Sequence, residues 1–221
     1  MNRTLRNRIF ITITFFLFAF AQQDVKVTVW KKVKIKNGIA VYIRENSLSE
    51  VNEVRAETMV NATLSSVVYL IKHVEKQPEW AYATKEARVI KKINSYRWLI
   101  YTRTDAPWPV DDRDCVSDIT MKQFSDSSIV IRTINVDTVL DEVENVVRMP
   151  MVKASWRLTP VDANTTKVRF QILVDLGGSV PAWVVNLFIE NGPYNTMTNF
   201  KEEVAKKKYQ KIRYPYIKQR P

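Results

Sequence analysis

The sequence predicts an α+β fold in which a curved antiparallel β-sheet wraps around a long C-terminal α-helix, with a cavity between them. Three stretches carry the prediction. Val152, Ala154, Trp156 and Leu158 alternate with Lys153, Ser155 and Arg157, and Val168, Phe170, Ile172 and Val174 alternate with Lys167, Arg169 and Gln171. Period-two patterning of this kind marks strands with one covered face. After Gly177-Gly178 the period becomes helical: Ser179 and Pro181 stand at helix-start positions, and Trp183, Val184, Leu187 and Phe188 follow at helical spacing. Met197, Phe200 and Val204 resume that stripe beyond an interruption at Gly192-Pro193. An apolar helical stripe needs a surface to cover it, and the concave face of the preceding sheet is the one on offer.

The chain has 221 residues, 46% of them hydrophobic, and only four glycines, which suits one well-cored domain without repeats or flexible low-complexity tracts. Residues 1–21 read as a cleavable export signal. Arg3, Arg6 and Arg8 precede an uncharged apolar run of 12 residues, Ile9 to Phe20, and Ala19 and Ala21 supply small residues before a cleavage point near Ala21. A bilayer span needs about 20 residues, so the run is short for an anchor. Residues 22–208 form the expected domain and 209–221 a basic tail. The full chain carries +11; without the three leader arginines 31 basic residues face 23 acidic ones, or +8. That balance favours anionic surfaces, but no nucleic-acid recognition motif accompanies it. Cys115 is the single cysteine, so no intramolecular disulfide is available even in an oxidising compartment.

Along the chain, Val33 and Ile35 lead to Asn37-Gly38, a strong hairpin signal, and Ile39, Val41 and Ile43 return. Val54, Ala56, Thr58 and Val60 make a third strand. Leu64, Val67, Val68, Ile71 and Val74 then follow helical offsets, with Thr63 placed to cap and Pro78 to stop the helix. Strands resume through Val89, turn at Asn94-Ser95, and continue through Trp98 and Ile100. Pro107-Trp108-Pro109 breaks the ladder, since proline has no N–H to donate. Cys115 to Met121 and Ile129 to Val136 form a hairpin around Ser125-Asp126-Ser127, ahead of the two strands described first. Eight or nine strands result, joined mostly by short turns and therefore antiparallel.

Three segments in order resemble the START lipid-transfer domains of the helix-grip, birch-pollen-allergen-like superfamily. Asn37-Gly38-Ile39-Ala40-Val41-Tyr42-Ile43-Arg44 is similar to the family's opening; Ala106-Pro107-Trp108-Pro109 with Arg113-Asp114 is similar to its central "PwP…RD" segment. Asp175 to Gly178 with Pro181-Ala182-Trp183 and Asn186 is similar to its entry into the last helix. The resemblance covers about Trp30 to Val204. It implies a tunnel between sheet and helix that holds one hydrophobic molecule, often a lipid or sterol. Sterol-carrying members place an arginine six residues after that of the "RD" pair, here Ile119, and the position of its acidic partner falls near Ile100. Two apolar residues there depart from the sterol-carrier pattern and point to a more uniformly greasy pocket.

Cavity-lining residues are assigned by face. Val184, Phe188 and Met197 come from the last helix, with Trp183, Leu187 and Phe200 next to them; Trp98, Ile100, Ile119, Met121 and Trp156 come from the sheet. Plain core packing competes with ligand contact at each, because ligand pockets are themselves mostly apolar. Asn191 and Asn195 are candidates to orient a head group, and Gly192-Pro193 to form a gate. No catalytic constellation, metal cluster or cofactor motif is evident. His73 reads as a half-exposed helical residue without a nucleophile nearby, and Cys115 as a buried thiol. The expectation is a monomeric, cofactor-free binding protein for one lipid or similar hydrophobic molecule. Its basic run Lys206 to Tyr214 either forms a solvated face or makes transient contact with an anionic membrane. The rival reading is a superfamily enzyme, such as a polyketide cyclase or aromatase, using the same cavity.

Overall fold

A computed structural model describes residues 28–46, 51–136 and 139–219. The expected leader, residues 1–21, lies outside the described residues. Strands β1 (Lys31–Lys36), β2 (Ile39–Arg44) and β3 (Glu53–Val60) are followed by α1 (Leu64–Lys72) and a 3₁₀ helix, Val74–Glu79. Then come β4 (Thr84–Asn94), β5 (Arg97–Thr104), β6 (Asp112–Gln123), β7 (Ile129–Asn135), β8 (Val146–Arg148), β9 (Met151–Pro160) and β10 (Thr166–Asp175). The chain closes with α2 (Ala182–Asn186), a π-helical turn (Leu187–Asn191), α3 (Gly192–Val204) and α4 (Lys207–Gln210).

The strands form one sheet in the order β1-β2-β3-β10-β9-β7-β6-β5-β4, with β8 beside β6. Every pairing on that path is antiparallel; β8 alone runs parallel to its neighbour. The predicted antiparallel sheet is therefore present, with ten strands where the patterning shows eight or nine. β8 has three residues, too few for alternation to register. The β3–β10 pairing, Val60 opposite Thr166 through Val54 opposite Ile172, joins the first hairpin to the last strands across more than a hundred residues. Asn37 and Gly38 both take positive φ, +53° and +73°, as the tight β1–β2 turn requires.

Thr63 caps α1 by accepting from the Ser66 N–H, as its position before an apolar helical run predicts. Pro78 does not end that helix. α1 stops at Lys72, and Pro78 lies inside the following 3₁₀ turn. The last helix also differs from expectation. The interruption expected at Gly192-Pro193 sits one turn earlier, in the π turn 187–191, while Gly192 and Pro193 open α3 and are buried. Proline clashes with the carbonyl four residues before it, here that of Ile189, and a widened π turn is a recognised way to absorb such a defect.

The segment 209–219, expected as a tail beyond the domain, is packed into it. Tyr209 and Ile217 are buried, and the Ser66 hydroxyl donates to the Tyr209 carbonyl at 2.7 Å. The Tyr214 N–H and the Gln219 amide both donate to the Ser65 hydroxyl. Glu203 anchors the start of this segment: buried near the end of α3, it accepts from Lys206, from Lys208 at 2.9 Å and from the Tyr209 hydroxyl at 2.8 Å. Burial alone would raise its pKa, but these three donors outweigh that and bring it down to about 2. A free glutamate titrates near ~4.3. The stabilisation is thus whole above that value and fades as pH falls toward 2, an upper limit of roughly 3 kcal/mol. Thermal melts of the parent and Glu203→Gln from pH 5 to pH 2 are expected to converge as pH falls; a constant gap would show that this carboxylate does not couple docking to acid.

Candidate ligand-binding cavity

Between the sheet and the last helix lies a cavity of about 230 Å³, many times the ~10–15 Å³ that one water needs. Its sheet side follows from strand alternation. Ile100, Thr102 and Thr104 of β5, Cys115, Ser117 and Ile119 of β6, and Ile131 and Thr133 of β7 share the inner face. Val152, Ala154 and Trp156 of β9 and Phe170, Ile172 and Val174 of β10 complete it. On the helix side stand Phe188, Gly192, Pro193 and Thr196, at close to one-turn intervals.

The two ends differ chemically. One is aromatic: Trp156 stacks on Phe170 with centroids 4.5 Å apart and meets Phe200 at 5.2 Å, while Trp80 lies edge-on to Trp156 and Phe200 at 5.9 and 5.1 Å. Toward the other end the β5–β7 wall turns from isoleucine to Thr102, Thr104, Ser117 and Thr133. There the Cys115 thiol and the Ser117 hydroxyl are 3.2 Å apart. Among the described residues no Asp, Glu, Lys, Arg or His lines the wall. A charge moved into such a place has nothing to pair with.

Of the residues assigned from sequence, Ile100, Ile119, Trp156, Phe188, Gly192 and Pro193 line this space together. Ile100 and Ile119 thus both face the cavity as apolar side chains. Four assignments need correction. Trp98 and Met121 are on the expected faces but two residues beyond the wall, where the sheet is filled by packed core. Val184 and Met197 are buried outside it. The π turn puts extra residues into one turn, so a helical face counted from Val184 does not continue to Met197, and Thr196 takes the lining position instead. Phe200 packs beneath the floor, Leu187 is half-buried outside the wall, Trp183 is 53% exposed, and Asn191 and Asn195 stand clear of the lining.

Trp80, Ala81 and Tyr82, which strand or helix periodicity does not assign to the site, close the cavity beside α3. The Tyr82 N–H donates to the Thr196 hydroxyl at 3.1 Å, and the Tyr82 ring meets Phe188 edge-on at 6.1 Å. The sequence signal for them is the aromatic pair, Trp80 and Tyr82, just beyond Pro78. Phe170, Ile172 and Val174 share one strand face by alternation, which alone does not assign them to the site. Their register against Trp156, Ala154 and Val152 places them there. His73 caps α1, stacked on Tyr69 at 3.5 Å with Nδ1 2.8 Å from the Tyr69 carbonyl.

Comparisons with known proteins agree with this architecture. An uncharacterized protein of Pseudomonas aeruginosa is 30% identical over 179 residues, covering 80% of this chain and 88% of its own. A crystal structure of a STAR-related lipid transfer protein fragment from Xanthomonas axonopodis is 28% identical, with TM-score 0.74 over 80% of this chain and 99% of that one. Human StAR-related lipid transfer protein 5, at 22% identity and TM-score 0.72, shares the fold over 79% of this chain and 86% of its own. The START domain profile matches residues 19–209, most of the sequence. With its helix gripped by a curved antiparallel sheet, the chain belongs to the START domain family.

Proposed function

We propose that this protein binds one lipid or similar hydrophobic molecule in the cavity between sheet and C-terminal helix, and carries or senses it without chemical change. The observation that carries the reading is the wall itself, aromatic at one end, hydroxyl-bearing at the other and uncharged among its described residues. Such a lining rewards burial of an acyl or ring system and provides weak donors and acceptors for one neutral polar group. Support also comes from the Xanthomonas axonopodis relative, a STAR-related lipid transfer protein. The proposal includes export, motivated by Arg3, Arg6 and Arg8 before the apolar run that ends near Ala21. It also includes a monomeric state and transient contact with an anionic membrane through exposed lysines near the C-terminus. Lys206 and Lys208 are engaged by Glu203, which leaves Lys207 and Lys211 to serve that contact.

Native mass spectrometry of protein purified from its own host, with lipid extraction, tests both halves. The expected species is a chain beginning at Gln22 with one bound lipid-like mass. Retention of residues 1–21 would overturn export, and a ligand-free protein that takes up no lipid from extracts would overturn the carrier reading.

Gly192 and Pro193, buried against the cavity at the end of the π turn, form the proposed gate. Segments that move to admit ligand belong to the less stable parts of a fold, and the π turn is the irregular part of this helix. A Cβ at Gly192 would meet Tyr82 at 3.6 Å, an ordinary contact, so alanine has room there, and Pro193→Ala only removes ring atoms. With both residues replaced by alanine, the expected result is greater hydrogen-exchange protection over 187–196 and slower ligand exchange in stopped flow, at nearly unchanged affinity. Unchanged exchange rates in a better-protected variant would exclude the gate.

A further inference from the structure

A second cleft, of about 470 Å³, opens where the end of α1 faces the β4–β5 turn. Lys72, His73, Glu75, Lys92, Asn94, Ser95, Trp98 and Tyr214 are among its walls, and it shares no residue with the lipid cavity. Its centre is a cation without an anion. The Lys72 ammonium donates to the Ser95 carbonyl at 2.7 Å and to the Tyr216 hydroxyl at 3.0 Å, which uses two of its three N–H groups. It lies 5.2, 5.5 and 5.3 Å from the ring centroids of Trp98, Tyr214 and Tyr216.

Among the described residues no carboxylate pairs with Lys72, and Lys92 beside it is exposed and makes no ion pair. The nearest wall carboxylate, Glu75, bonds to neither. Burial and, next, the charge of Lys92 push the Lys72 pKa down, the direction expected for a half-buried cation facing another cation. Trp98, which also lines the cleft, carries a buried indole N–H that has no acceptor among the described residues. Two lysines thus line a roomy polar cleft whose one wall carboxylate, Glu75, pairs with neither of them.

We propose that this cleft is an oxyanion site that takes a phosphate group, held between Lys72 and Lys92. A phosphate monoester carries close to two negative charges at neutral pH and several acceptor oxygens, which matches two ammonium groups and their spare donors. A lipid phosphate headgroup and a soluble phosphate offer the same chemistry, and the test separates them.

The full chain, isotope-labelled, is titrated by NMR with inorganic phosphate, and its binding to phosphatidylcholine vesicles with and without phosphatidic acid is measured by sedimentation. Phosphate is expected to shift the amide signals of Lys72, Lys92, Ser95 and Trp98 and to raise the Lys72 pKa. Lys92→Gln, at an exposed unpaired position where folding is not at stake, is expected to weaken phosphate about tenfold or more. Vesicle binding that requires phosphatidic acid and is competed by phosphate assigns the site to a headgroup. Phosphate binding without vesicle binding assigns it to a soluble ligand. Absence of phosphate-dependent shifts in the cleft, or shifts unchanged in Lys92→Gln, overturns the site. Lys72→Met, checked for folding by its melt, repeats the comparison at the inner lysine.

Discussion

Ala154→Phe is expected to abolish lipid binding while leaving the protein folded and at least as stable as the parent. Ala154 lies mid-strand on β9, its register partners are Ile172 and Thr133, and all three face the cavity. A ring placed there enters a space already empty, so it gains dispersion contacts where overpacking of a filled core costs about 1–3 kcal/mol. The same ring lies beside Thr133, on the path between the aromatic end at Trp156 and the Ser117 hydroxyl. Uptake of a neutral fluorescent lipid, measured beside a thermal melt, reads both quantities. Binding should fall by more than tenfold with a melting temperature equal or higher. A variant that loses about 1–3 kcal/mol and still binds would place the ligand elsewhere.

Much of this arrangement is legible in the sequence because it rests on local periodicity. Trp156 and Ala154 on β9, and Ile100 and Ile119 on neighbouring strands, face the cavity as alternation places them. The Asn37-Gly38 turn and the Thr63 cap depend on single backbone positions that few residue types satisfy. Extent is less legible than face. Alternation puts Trp98 and Met121 on the inner side but does not say where open space gives way to packed core, since that depends on what α1 covers. The π turn is hidden for a similar reason. It changes the helical repeat for a single turn, which a fixed 3.6-residue count misses, so that count puts Met197 on the wall in place of Thr196. Lys206 to Arg213 looks like a solvated basic run until Glu203, Tyr209 and Ser66 are brought together, and those contacts span up to 143 residues. The Arg113-Asp114 pair shows the same limit: its partners, Arg148 for Asp114 and the Asp111 and Gly177 carbonyls for Arg113, come together only in the fold.

Asp114→Ala is expected to destabilise the protein by about 3–5 kcal/mol. Asp114 is 1% exposed on β6 and accepts two bonds from the Arg148 guanidinium, at 2.6 and 3.2 Å. Arg148 also donates to the Leu140 and Asp141 carbonyls, so one side chain holds both β8 and the loop before it against β6. Arg113 works on the neighbouring turn, donating to the carbonyls of Asp111 and Gly177, and a Cβ at Gly177 would come within 2.8 Å of Pro150. Together the two residues brace the loops that follow β7 and β10, next to Met149 and Leu176 of the cavity wall. Removing the carboxylate leaves a nearly buried guanidinium without its counter-charge, which is where the cost arises; attraction within the intact pair contributes less, because burying both ions is itself expensive. The double replacement Asp114→Leu with Arg148→Met separates these terms. It removes both charges and keeps apolar volume, so it should recover most of the stability lost in Asp114→Ala. Denaturant unfolding of the three proteins reads the result. A single variant that costs under about 1 kcal/mol, or a double variant no better than the single, would show that the pair does not brace the rim in this way.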